Sequence, residues 1–171
     1  MTAPQAPLLP QLLIVWHSRT GAAQAMARAA LAGASKAQGC EARLIHASRA
    51  NPGVLLGGAG YLFICPENLG ALTGVMKEML DKAYYPLLSQ VEGRAYASII
   101  AAGSDGTGAL RQLDRIVTGW RLRRVADPLV FVMGAQSMEA ILARKVVDAS
   151  MLAQCRDLGQ AMAEGLAAGI F

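Results

Sequence analysis

Aromatic side chains are scarce: Phe, Trp and Tyr make up 5% of the 171 residues. That excludes a large aromatic ligand cage, and it leaves the basic residues without the aromatic interleaving of a nucleic-acid surface. The three cysteines, Cys40, Cys65 and Cys155, form no C-x-x-C pair and no Cys/His cluster. A metal site is therefore not expected, and an odd cysteine count without a framework suits a reducing cytoplasm. No stretch reaches the roughly 18 uninterrupted apolar residues of a membrane helix. The apolar run at residues 12–16 is too short for a signal h-region and lacks its flanks, so no membrane partner is expected. Neither a Walker A loop nor G-x-G-x-x-G occurs, which excludes a P-loop and the common dinucleotide fingerprint.

What remains is an apolar, weakly charged chain. Residues of the AVILMFWYC set make up 54% and charged residues 16%, with a formal net charge of +4. Such a chain buries a sizeable core without staples, and its many Ala and Gly residues suit close packing of helix on sheet. We expect one domain over residues 10–171 behind a disordered tail at 1–9. The charge is uneven, because Arg111, Arg115, Arg121, Arg123 and Arg124 fall close together. They read as a solvated helix face and strand entry, or as a partner for nucleotide phosphates.

Strand and helix signals alternate. Continuous apolar runs, the mark of strands buried on both faces, occur at 12–16, 61–65, 95–102 and 129–133, and residues 41–46 read as a further strand. Helical spacing marks 23–34, 72–83, 110–117 and a last helix beginning near Asp148. Asn51-Pro52-Gly53 reads as a turn, Thr73 as an N-cap, and Pro86 and Gly119 as helix stops. Five strands separated by helices predict a doubly wound α/β sheet with right-handed crossovers. Ligands then sit outside the carboxyl ends of the strands, on the loops beginning at His17, Pro66 and Gly103.

The first loop, His17-Ser18-Arg19-Thr20-Gly21-Ala22-Ala23-Gln24, joins a buried strand to a helix start. Hydroxyls on Ser18 and Thr20, the helix N–H groups and Arg19 together suit a phosphate. Ordinary capping by Ser18 or Thr20 is the alternative. The second loop runs Pro66-Glu67-Asn68-Leu69-Gly70-Ala71-Leu72-Thr73-Gly74. Its stiff turn can aim backbone groups at a flat ring, and Asn68 offers both a donor and an acceptor. The third, Gly103-Ser104-Asp105-Gly106-Thr107-Gly108, is either a further wall or a flexible connector.

Residues 61–81, YLFICPENLGALTGVMKEMLD, resemble the NADPH-dependent FMN reductase branch of the flavodoxin-like superfamily, which includes the tryptophan-repressor-binding-protein type of quinone reductase. The first loop is similar to that superfamily's phosphate loop, S/T-x-T-G-x-T, with Ser18, Thr20 and Gly21 on pattern. Ala23 departs from it, and losing that hydroxyl costs on the order of 1 kcal/mol of FMN binding. The resemblance implies a flavodoxin-like three-layer sandwich with a five-stranded parallel sheet of order 2-1-3-4-5 and helices on both faces. It implies FMN phosphate on Ser18, Arg19, Thr20, Gly21, Ala22 and Ala23, and the ring against Pro66, Glu67, Asn68, Leu69 and Gly70. Gly103, Ser104, Asp105 and Gly106 would border the ring's other side.

The flavin carries its own redox chemistry, so no catalytic side chain is expected. Neither 66–74 nor 103–109 contains an aromatic residue to cover the ring. With the positive charge, this favours a cytoplasmic oxidoreductase that takes electrons from NADPH or NADH and passes them to a quinone, flavin or similar small acceptor. Backbone N–H groups near Asn68 would stabilise the developing anion. An electron carrier and a flavin-free interaction module are the alternatives. The resemblance also implies a homodimer or homotetramer. Trp16, His17 and Cys65 read as structural, and Tyr84-Tyr85-Pro86 as a helix anchor or a subunit contact.

Overall fold

The computed structural model describes residues 8–171. The tail expected over 1–9 therefore lies largely outside the described residues, while Leu8 and Leu9 are exposed.

The expected alternation is present. In chain order the elements are β1 (Gln11–Trp16), α1 (Ala22–Ala34), β2 (Glu41–His46), α2 (Pro52–Leu56), β3 (Gly60–Asn68), β4 (Ala71–Leu72), α3 (Gly74–Leu87), β5 (Ala95–Ala102), α4 (Thr107–Gly119), β6 (Arg123–Arg124), β7 (Leu129–Val132), α5 (Met138–Leu142) and α6 (Ala149–Ala167). The sheet runs β2-β1-β3-β5, and β6 and β7 share the position beyond β5. All of these pairings are parallel. Taking β6 and β7 as halves of one strand, the order is the expected 2-1-3-4-5.

The apolar runs are continuous because helices cover both faces. Leu13, Val15, Tyr61, Phe63, Cys65 and Ile100 point to the layer of α3 and α4. Leu12, Ile14, Leu62, Ile64, Ile99 and Ala101 point to that of α1 and α6. Successive side chains of each strand thus enter different layers, and every residue of β5 is buried. The low aromatic content is matched by small residues where helices cross. A Cβ on Gly33 of α1 would lie 1.9 Å from the Arg156 carbonyl oxygen of α6, and one on Gly159 of α6 would lie 2.1 Å from the Ala30 carbonyl oxygen.

Four local readings are corrected. The third strand does not stop at Pro66 but continues to Asn68, because it turns back on itself as a hairpin with β4. The fifth strand forms at Leu129–Val132 as expected, but it begins earlier, with Arg123–Arg124. It breaks between Arg124 and Leu129, where residues 97–98 of β5 face residues 125–128, and Pro128 has no N–H to give a ladder. Among the described residues, the buried Ser98 hydroxyl on that stretch of β5 has no hydrogen-bond partner. Asn51-Pro52-Gly53 opens the short helix α2 rather than a simple turn, since the Asn51 side chain accepts from the Val54 N–H at 3.0 Å. Pro86 lies inside the last turn of α3, one residue before its end.

The crossing of α1 and α6 yields a test. Gly159→Ala should cost about 1–3 kcal/mol by driving the helices apart. Urea unfolding that matches the parent within error would refute the close approach.

Candidate functional site

The order of the sheet reverses between β1 and β3, and a cleft of about 330 Å³ opens beyond the carboxyl ends of the strands. Its size falls in the range of small-molecule sites. Of the fifteen residues singled out from the sequence, twelve line it: Ser18, Arg19, Thr20, Ala22 and Ala23 after β1, Pro66 to Gly70 on the hairpin, and Gly103 and Ser104 after β5. Gly21, Asp105 and Gly106 stand just outside the lining.

At the β1 end, Gly21 forms the N-cap of α1 at φ 95°, a backbone conformation open to glycine, and the Ser18 Oγ accepts from its N–H at 3.0 Å. Ser18 therefore shapes the loop rather than capping the helix. Among the described residues, the N–H groups of Ala22, Ala23 and Gln24 have no acceptor. Three such donors at the positive end of a 13-residue helix suit an oxyanion. Ala23 is fully buried and has no hydroxyl to donate. Arg19 donates to the Asn68 Oδ1 at 3.2 Å and ties this loop to the hairpin.

The hairpin turns at Leu69 (φ 53°) and Gly70 (φ 69°), with Asn68 opposite Ala71. Two consecutive positive φ angles make a tight turn that matches the twist of the strands. Leu69 is 97% exposed at its tip. The Glu67 carboxylate reaches to the start of α4. Its Oε1 accepts from the Gly106 N–H at 2.9 Å and its Oε2 from the Ala109 N–H at 3.0 Å. The Leu72 N–H donates to the Gln112 Oε1 at 2.9 Å, and a Cβ on Gly108 would lie 2.1 Å from the Gly70 carbonyl oxygen. The hairpin is thus clamped to α4 along its length. Asp105 accepts from the Thr107 hydroxyl.

Sequence reasoning missed a fourth wall. Met133, Ala135, Ile141, Leu142 and Lys145 line the cleft from the connection between β7 and α6. The Lys145 N–H donates to the Thr20 carbonyl at 2.8 Å. Its ammonium group is held by the carbonyls of Ala140, Ile141 and Ala143. The available signal was length, because a connection of this size with no strand or helix assigned to it is uncommon and usually functional.

The residues read as structural have partners. His17 Nδ1 lies 2.9 Å from the Thr73 Oγ1, which explains why Thr73 sits at the N-cap of α3 without capping it. Burial, followed by the neighbouring His46 and Arg19, holds the His17 imidazole below its ordinary pKa of 6.5. Burial pushes the Cys65 thiol up to about 12, so it is no nucleophile at neutral pH. Tyr84 stacks on Trp120 and accepts from its indole N–H through its carbonyl, which anchors the end of α3. Within the arginine cluster, Arg124 pairs with Asp114 and Arg121 with Glu92. No cluster of metal-binding side chains occurs, and no helix is long and apolar enough to cross a membrane, among the described residues.

Two outcomes follow. Glu67→Ala strips two acceptors from the start of α4 and should cost about 1–3 kcal/mol in chemical denaturation; a change below about 0.3 kcal/mol, within ordinary surface-substitution scatter, would count against the clamp. His17 favours its neutral form when folded. Its contribution is present above pH ~6.5 and is lost as the pH falls through the lowered folded value. The urea midpoint should drop on acidification, and His17→Gln should flatten that drop; equal slopes would sink the assignment.

No family model matches the chain. Over 98 residues it is 28% identical to a flavodoxin from Aquifex aeolicus, covering 57% of this chain and 53% of that protein. The chain thus matches about half the length of this relative. A flavodoxin structure from the domain Archaea superposes with a TM-score of 0.73 at 15% identity, covering 91% of this chain and 98% of that one. The flavodoxin WrbA-like protein from Agrobacterium tumefaciens superposes with a TM-score of 0.66 at 17% identity, covering 92% and 97%. With its strand order, two helical layers and cleft at the switch point, the chain has the flavodoxin-like fold.

Proposed function

We propose that the cleft binds FMN non-covalently and that the protein is an NAD(P)H-dependent FMN oxidoreductase acting on a quinone, flavin or similar small acceptor. The observation that carries this reading is the convergence of three loops on one cleft. An oxyanion cradle stands at the β1 end, and the clamped hairpin and the Gly103 loop form the walls.

The donor set fits the cofactor's tail. The unpartnered N–H groups of Ala22, Ala23 and Gln24 would hold the phosphate, with the Ser18 and Thr20 hydroxyls and the Arg19 charge nearby. The hairpin would hold the ring, and its attachment to α4 keeps the backbone at residues 66–70 in place. When bound, FMN supplies hydride acceptance and onward electron transfer. The protein's part is to orient the ring and to leave a face open to a nicotinamide or quinone. No aromatic side chain lines the cleft, and the net charge is +4; both support a reductase.

An electron-carrier role is the second reading, favoured by the similarity to a flavodoxin. Purified protein should take up FMN with quenching of flavin fluorescence, and anaerobic NADPH or NADH should then bleach the bound flavin. Uptake without bleaching supports the carrier; a protein that takes up no FMN overturns both readings. Ala23→Ser, which adds a single oxygen at this buried position, should tighten FMN binding about fivefold by supplying a donor at the cradle. Equal affinities in a fluorescence titration would remove the cradle from the phosphate.

A further inference from the structure

The connection that forms the fourth wall spans the cleft. Its first anchor is the Ala135 N–H, which donates to the Gly103 carbonyl at 3.1 Å; its second is the Lys145 N–H on the Thr20 carbonyl at 2.8 Å. One anchor stands on the loop after β5 and the other on the loop after β1. Among the described residues, no hydrogen bond ties 136–144 to the rest of the chain between them.

Within this strap α5 has no buried residue. Five residues do not make a stable helix alone, and α5 is held by its ends: the Ser137 Oγ accepts from the Ala140 N–H at 3.1 Å, and the Lys145 ammonium closes the other end. The strap nevertheless carries apolar side chains into water. Met138 is 76% exposed, Ile141 51% and Leu142 67%. Ile141 and Leu142 line the cleft, as does the exposed Leu69 of the hairpin. A cluster of exposed apolar side chains at a cleft marks a binding surface.

Polarity along the cleft identifies the occupant. Free N–H groups and Arg19 stand at the β1 end, where Arg144 also crosses the loop: a Cβ on Gly21 would lie 3.7 Å from its Cγ and 3.9 Å from its Nε. Leu69, Met133, Ile141 and Leu142 line the rest, with the polar groups of Asn68 and Ser104 between them. A ligand with an anionic tail and a flat apolar head matches both.

We propose that the strap is a binding wall of the flavin site, in which Ile141 and Leu142, with Leu69 of the hairpin, pack as an aliphatic clamp on one face and the rim of the isoalloxazine ring and leave its other face open. This rests on the FMN reading. Burying these side chains on one face of the ring stabilises the bound cofactor without closing the face that a nicotinamide or quinone would use. It also couples cofactor retention to a segment anchored on the two loops that flank the ring and the tail.

Hydrogen exchange over residues 136–145 of the full chain, followed by mass spectrometry, tests the clamp with FMN, riboflavin and inorganic phosphate as separate probes. Both flavins should slow exchange there, and phosphate alone should not. The double variant Ile141→Ser/Leu142→Ser should release FMN about tenfold faster. Both side chains are exposed, so the variant keeps its fold and the exchange of α3 and α4. FMN bound without slower exchange of the strap, protection by phosphate alone, or an unchanged release rate would each overturn the clamp and leave the FMN reading standing. Failure of the parent protein to quench flavin fluorescence at all would overturn the FMN reading and the clamp with it.

Discussion

The Glu67 carboxylate grips two backbone N–H groups, those of Gly106 and Ala109, at the start of α4. Without it the hairpin after β3 would be a two-residue ladder with a strained leucine at its tip, and so short a ladder is not stable by itself. With it, one side chain settles three things. It satisfies donors that α4 would leave unpaired, it fixes the hairpin against that helix, and it sets the far wall of the cleft. The close approach of Gly108 to the Gly70 carbonyl depends on the same contact, because only a residue without Cβ lets the hairpin sit so near. Glu67 thus works as a fastener as well as part of the wall.

The cleft is bounded by two kinds of structure. The loops after β1, β3 and β5 emerge from strands buried on both faces, and the parallel ladders and the two helical layers hold their starting points. The strap has no such support and hangs from two backbone hydrogen bonds. This difference in anchoring divides the site into a rigid base and a wall whose side chains stand in water. The rings of Tyr61, Phe63 and Trp120 are buried in the core, and among the described residues the cleft is lined by aliphatic and polar side chains without an aromatic one.

The break in the outer strand shows a local cost met by the tertiary fold. Pro128 cannot donate to β5, and two additional residues must be accommodated between the paired segments. The edge tolerates this because, among the described residues, one side of β6 and β7 faces no further strand. A proline in the same place on β3 or β5 would interrupt a central ladder.

Much was legible without coordinates. Apolar runs at 12–16, 61–65 and 95–102 declared strands buried on both faces, and their alternation with helical spacing declared the doubly wound sheet. Residues at a strand-to-helix junction near a glycine, such as Ser18 to Ala23, could be placed at the cleft because periodicity and turn chemistry are local properties of the chain. What the tertiary structure alone decided is which groups meet across distance. Glu67 reaches Gly106, Thr73 turns to His17 instead of its own helix, and Lys145 returns to Thr20. Each joins segments far apart in the chain, and no spacing pattern encodes such a contact, because it exists only once the strands have set the distances between their loops.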